Sequence, residues 1–132
     1  IAKDPRVRVI FKDWPIFGAA SRAAARAAIA ADCQGKYLAF HKALMASRVK
    51  LDNEQIRRIG VASGVDWSRL EHDAASHGAE IKRQLAHHAT QAWSLGLEGT
   101  PAYLVGPYLI EGGLDEGHLA QAVKRARAAG PL

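Results

Sequence analysis

The stretch Gly99-Thr100-Pro101-Ala102 offers the most chemistry in this sequence. It leads into Tyr103-Leu104-Val105, a short apolar run that stops at Gly106-Pro107. Proline at the first residue of a strand forfeits no ladder hydrogen bond. An X-Pro bond adopts cis at a cost of about 0.5–1 kcal/mol over trans, far below that of other peptide bonds. A cis bond would turn the Thr100 backbone outward, where its N–H and C=O could pair with an extended peptide as an added strand. A trans proline in a strand-leading turn also fits the tetrapeptide, and the residues alone leave both readings open.

The other reactive residue types give weaker patterns. Cys33 is the one cysteine, so the sequence allows no intramolecular disulfide and too few thiolates for a structural zinc site. It falls near the end of an alanine-rich run, away from any helix N-terminus, and reads as a small packing residue. Of the six histidines, His87 and His88 are adjacent and point about 100° apart on a helix. His72 and His77 straddle a break, and no HExxH or CxxC-type ligand spacing occurs, so neither a metal nor another cofactor is expected. His41 is interleaved with an apolar stripe and reads as a hydrogen-bonded packing residue. Nothing like Gly-x-Ser-x-Gly marks a hydrolase nucleophile.

These residues need elements to hold them. Arg6-Val7-Arg8-Val9-Ile10-Phe11 alternates and predicts a strand over Val7–Phe11. Lys12 to Gly18 is a loop closed by Pro15 and Gly18. Ser21 is the expected N-cap of an alanine-rich helix from Arg22 to Ala31. Tyr37, Phe40, His41 and Leu44 make the inward stripe of a second helix. Asp52, with Gln55 three residues on, starts a third helix that ends at Gly64. Asp66 caps a short fourth helix, Trp67 to Ala75. The longest helix is expected from Ala79 to Leu95, with Ile81, Leu85, Ala89 and Ala92 inward and Gly96 at C′. The Thr100-Pro101 strand, a turn at Gly106-Pro107 and Tyr108-Leu109-Ile110 make a hairpin. Asp115 caps a last helix to about Ala129, with Leu119, Ala122, Val123 and Ala126 inward.

With 132 residues and 48% hydrophobic composition, the chain has one domain's worth of core. No apolar run approaches the ~18–20 residues that span a membrane. Ile1-Ala2-Lys3-Asp4-Pro5 has no apolar signal-peptide region, and the absence of an initial Met suggests a processed piece. The formal net charge is +5, with 18 Lys+Arg spread over several helical faces rather than interleaved with aromatics. That pattern predicts a solvated basic surface and no nucleic-acid partner.

Three segments together resemble the DsbA-like branch of the thioredoxin superfamily, the bacterial thiol:disulfide oxidoreductases. They are Val7 to Gly18 followed by Ser21 and the alanine-rich helix, Gln34-Gly35-Lys36-Tyr37 with Phe40 to Met45, and Leu95 to Ala102 with the hairpin and last helix. The resemblance covers essentially the whole sequence. It implies a single α/β thioredoxin-like domain over residues 1–132, with a helical insertion at 21–95. It makes Thr100-Pro101 the family's cis-proline loop and, with Thr100 and Pro101, the substrate-binding site. It also implies protein or peptide thiol substrates, a redox partner protein and a periplasmic or secreted location.

The family's first strand and Cys-X-X-Cys helix are not found ahead of Val7, so no catalytic residue is expected in this chain, which should be redox-inert alone. A gap left between the Val7–Phe11 and Ala102–Val105 strands predicts a homodimer that covers the open edges. Two other readings are a non-catalytic thioredoxin-like peptide-binding module and a relative of the kappa-type glutathione transferases. The short helical insertion argues against the latter.

Overall fold

The computed structural model describes residues 3–131. The part of the expectation about the first five residues that falls on Ile1 and Ala2 lies outside the described residues. The chain divides into two compact units, Asp13–Thr90 and Ile1–Lys12 with Gln91–Leu132, a division that falls within the helix expected to be the longest.

The helical unit holds α1 (Gly18–Ala30), a 3-10 turn (Ala31–Gln34), α2 (Tyr37–Ala46), α3 (Asn53–Ala62), α4 (Trp67–Ser76) and most of α5 (Gly78–Ser94). Its core is made of Ala24, Ala27, Ala28, Ala30 and Ala31 against Phe40, Leu44, Ile56, Val65, Leu70 and Ile81. Small alanine side chains let α1 pack directly on α2, α3 and α4. Phe40 is fully buried and meets the Trp67 ring edge-on, with centroids 6.4 Å apart. Complete burial of such a side chain contributes about 1.5–3 kcal/mol.

Two of the expected caps here are as the sequence indicated. The Asp52 carboxylate accepts from the Gln55 N–H at 2.7 Å and the Asp66 carboxylate from the Arg69 N–H at 3.1 Å. Ser21 is a correction. α1 begins at Gly18 after Phe17, with no side-chain cap, and Ser21 lies inside the helix. Ala19 and Ala20 are strong helix formers and extend it past the serine.

The second unit holds the antiparallel hairpin β1 (Ala102–Val105) and β2 (Tyr108–Glu111), followed by α6 (Glu116–Ala129). Its register pairs Ala102 with Glu111 and Val105 with Tyr108, leaving Gly106-Pro107 as a two-residue loop. Gly106 has φ +58°, the positive value that a II′ hairpin turn requires at its first central residue. α6 packs on β1, and Arg125 lies over the Tyr108 ring at 4.1 Å from its centroid. Asp115 caps α6 by accepting from the His118 N–H at 2.8 Å. That bond and the His118 side chain lower the Asp115 carboxyl from its ordinary range.

The expected Val7–Phe11 strand is corrected as well. Among the described residues the sheet contains β1 and β2 alone, and residues 7–11 are not in a strand. Alternation of Arg and Val decides which side chains share a face, but it supplies no neighbouring strand to complete the ladder.

Candidate functional site

The proline loop is shaped by the helix before it. α5 ends in Ser94, and Gly96 takes φ +74°. The Leu97 N–H donates to the Ala92 carbonyl at 3.0 Å and the Gly96 N–H to the Trp93 carbonyl at 2.9 Å. These two bonds form a Schellman cap, which stops the helix sharply and sends Leu97–Gly99 away from its axis. The Thr100–Pro101 peptide bond is cis. Pro101 accepts at its carbonyl from the Gly112 N–H at 2.9 Å, one step beyond the Ala102–Glu111 pair. The hairpin thereby holds the proline from one side.

Thr100 and Pro101 are both exposed. Among the described residues the Thr100 backbone N–H and C=O have no hydrogen-bond partner. An exposed pair of backbone groups at the head of a strand can take an added extended segment.

A second group of polar residues, in the helical unit, was not foreseen as a cluster. The Asp13 side chain is only 10% exposed. Tyr37 donates its phenol proton to Asp13 Oδ2 at 2.8 Å, and His41 Nδ1 lies 3.5 Å from Asp13 Oδ1. Tyr37 and His41, four apart on α2, stack with centroids 5.4 Å apart. Burial, and then the Asp13 carboxylate, push the Tyr37 phenol above its ordinary range. His88 is buried, and its Nδ1–H donates to the Asp13 carbonyl at 3.0 Å. A carbonyl can only accept, so this bond places a proton on Nδ1. The cluster clasps the loop residue Asp13 to both α2 and α5. His41 is therefore a hydrogen-bonded packing residue, as its place in the apolar stripe implied.

Cys33 does not pack. It is exposed on the 3-10 turn, which corrects the role expected from the alanine run around it. The turn ends at Gly35 and swings the thiol off the buried face that Ala30 and Ala31 occupy.

Comparison with known proteins gives consistent results. Residues 2–124 match the family described as the DSBA-like thioredoxin domain. The structure is similar to a thioredoxin-like oxidoreductase from Silicibacter pomeroyi DSS-3, with a TM-score of 0.89 and 40% identity, covering 98% of this chain and 73% of that one. It is similar to the thiol-disulfide exchange protein alpha-DsbA2 from Wolbachia pipientis, with a TM-score of 0.83 and 29% identity, covering 88% of this chain and 63% of that one. Among curated proteins it is 27% identical over 120 residues to the Na(+)/H(+) antiporter NhaA 1 of Mycobacterium sp. (strain KMS), covering 89% of this chain. The chain spans about a fifth of the length of the curated relatives it matches, 20% in that antiporter. Among the described residues no helix is long and apolar enough to cross a membrane. The family match covers nearly the whole chain, and the chain belongs to the DSBA-like thioredoxin domain family.

Proposed function

We propose that this chain is the substrate-binding part of a DsbA-like thiol:disulfide oxidoreductase and that extended peptides dock along Thr100. The observation that carries the reading is the exposed Thr100–Pro101 loop, whose Thr100 backbone groups are unpaired among the described residues. Thiol–disulfide exchange proceeds by thiolate attack on a disulfide sulfur through a mixed disulfide. A single cysteine cannot close that cycle within one chain. On this reading residues 3–131 supply binding, and the exchanging thiols come from elsewhere. The partners are cysteine-containing proteins or peptides, and a redox partner protein resets the thiols. The compartment is the bacterial periplasm or another oxidising space, since disulfides persist there and not in the cytosol.

The test is an amide NMR titration of the whole chain with an unstructured peptide carrying one cysteine. Saturable shifts centred on Thr100 and Ala102 are expected. Shifts confined to other parts of the chain, or none at millimolar peptide, overturn the reading.

A further inference from the structure

We propose that Cys33, Asp73 and His77 form a zinc-binding site, with one Zn2+ per chain and water completing the coordination. One ligand atom from each of the three residues lies within 4.8 Å of the other two. Tetrahedral zinc, with bonds of about 2.0–2.3 Å, needs its ligand atoms roughly 3.5 Å apart. Cys33 and His77 are exposed, so small side-chain rotations at the surface close that difference.

The donor set fits the metal. A thiolate, an imidazole and a carboxylate are the three side chains that zinc takes, and three protein ligands with one open position is a recurrent zinc arrangement. The thiolate and carboxylate together balance the charge of the ion. On binding, the thiol proton leaves to solvent as the Zn–S bond forms.

The surroundings are built to hold these groups in place. Asp73 and His77 are four residues apart at the end of α4, where that spacing puts both on one face. The His77 Nδ1–H donates to the Asp73 carbonyl at 3.0 Å, which leaves Nε2 with the lone pair. Backbone carbonyls commonly orient zinc-bound histidines in this way. The thiol is brought by the 3-10 turn, which is tied to the start of α4 from both directions. Gln34 Nε2 donates to the Asp66 carbonyl at 2.9 Å, the Asp66 N–H donates to Gln34 Oε1 at 2.9 Å, and Arg69 Nη2 donates to the Cys33 carbonyl at 3.0 Å.

Asp73 supplies an independent indication. Its side chain is 14% exposed, and its Oδ2 is buried without a hydrogen bond among the described residues. The nearest cation, Arg69 Nε, stands 3.6 Å away, outside hydrogen-bond range. The Arg69 ion pair offsets part of the cost of burying that oxygen but leaves it without a hydrogen bond, and a directly coordinated cation would give it a closer partner. Arg69 is more than half exposed, and its Nη2 keeps its bond to the Cys33 carbonyl while its Nε cedes Asp73 Oδ2 to the ion.

The test uses the full chain, reduced, metal-free and without a histidine tag. Titration with Co2+ is expected to produce a thiolate-to-cobalt charge-transfer band, which an equimolar amount of Zn2+ removes. Cys33→Ser should abolish the band. His77→Gln and Asp73→Asn should each weaken Zn2+ binding at least tenfold, while His87→Gln, on an exposed histidine outside the cluster, should leave it unchanged. Because Asp73 is partly buried, circular dichroism of its variant is compared with the parent, and the exposed Cys33 and His77 variants carry the decision. A cobalt spectrum with no thiolate band, unchanged affinity in His77→Gln, or one zinc per two chains overturns the proposal.

Discussion

Gly60 lies directly against the Trp67 ring: a Cβ placed on it would stand 2.7 Å from Trp67 Cζ3 and 3.1 Å from Phe40 Cζ. Neither ring can yield. Phe40 is fully buried, and Trp67 is held by its indole N–H donating to Glu71 Oε1 at 3.0 Å. Gly60→Ala gains about 1 kcal/mol of helix propensity in α3. It also overpacks the core, at about 1–3 kcal/mol. The collision here is with two fixed rings, so the upper part of that range applies and a net loss of about 1–2 kcal/mol is expected. A shift of the urea midpoint to lower concentration, with unchanged slope, checks it.

The Asp4 carboxylate accepts from Arg127 Nη2 at 2.8 Å and from the Arg6 N–H at 3.0 Å. The Arg127 bond, and then the Arg6 backbone, lower the Asp4 carboxyl from 3.8 to about 2. A depressed carboxyl contributes stability above its unfolded value and loses it as pH falls through the folded one. The contribution should therefore fade between about pH 4 and 2. The difference in thermal midpoint between the parent and Asp4→Asn should be present at pH 5, vanish near pH 2, and shrink in high salt.

The parts of this fold that were legible in the sequence are local ones. Asp52, Asp66 and Asp115 each announce a helix because the capping carboxylate and the backbone N–H that donates to it lie three residues apart. Gly96 announces the end of α5 for the same reason. Val7–Phe11 failed because a strand is defined by its neighbour, and alternation says nothing about whether one is there. The Asp13 clasp joins residues 24 and 75 positions apart, which no short-range spacing encodes. Cys33 was misread because its alanine neighbours are buried, whereas the 3-10 turn changes the helical phase at that point. Its approach to Asp73 and His77 depends on the Gln34–Asp66 bonds, a pairing 32 residues apart. For the proline loop, the tetrapeptide named the residues, and only the hairpin register showed which side is left open.

Asp66→Ala should cost about 1 kcal/mol, the usual loss on removing an N-cap carboxylate. The backbone of Asp66 would still bond Gln34, so the link between the 3-10 turn and α4 survives the change. Asp66→Asn keeps an acceptor for the Arg69 N–H and should recover most of the loss. Urea unfolding of the two variants side by side separates the cap from any effect of charge.

Tyr37→Phe removes the donor to a carboxylate that is nine-tenths buried. Hydrogen bonds to charged groups contribute about 1.5–3 kcal/mol, and truncating one partner leaves the other without compensation. His41 is still 3.5 Å from the same carboxylate, too long to replace a 2.8 Å bond without movement of α2. A loss of about 1.5–3 kcal/mol in unfolding free energy near neutral pH is therefore expected. The same bond has an alkaline signature. Burial and the Asp13 charge raise the Tyr37 phenol above its ordinary value of 10.0. A group whose folded value is raised contributes stability that is complete below its unfolded value and is lost as pH rises beyond it. Spectrophotometric titration of the parent should show one phenol that ionises only as the chain unfolds, with a protein that becomes less stable above about pH 10. Tyr37→Phe should lack that late phenol, and its smaller stability should be flatter through the same range. A parent whose phenols all ionise while it stays folded would show that Tyr37 is not held by Asp13.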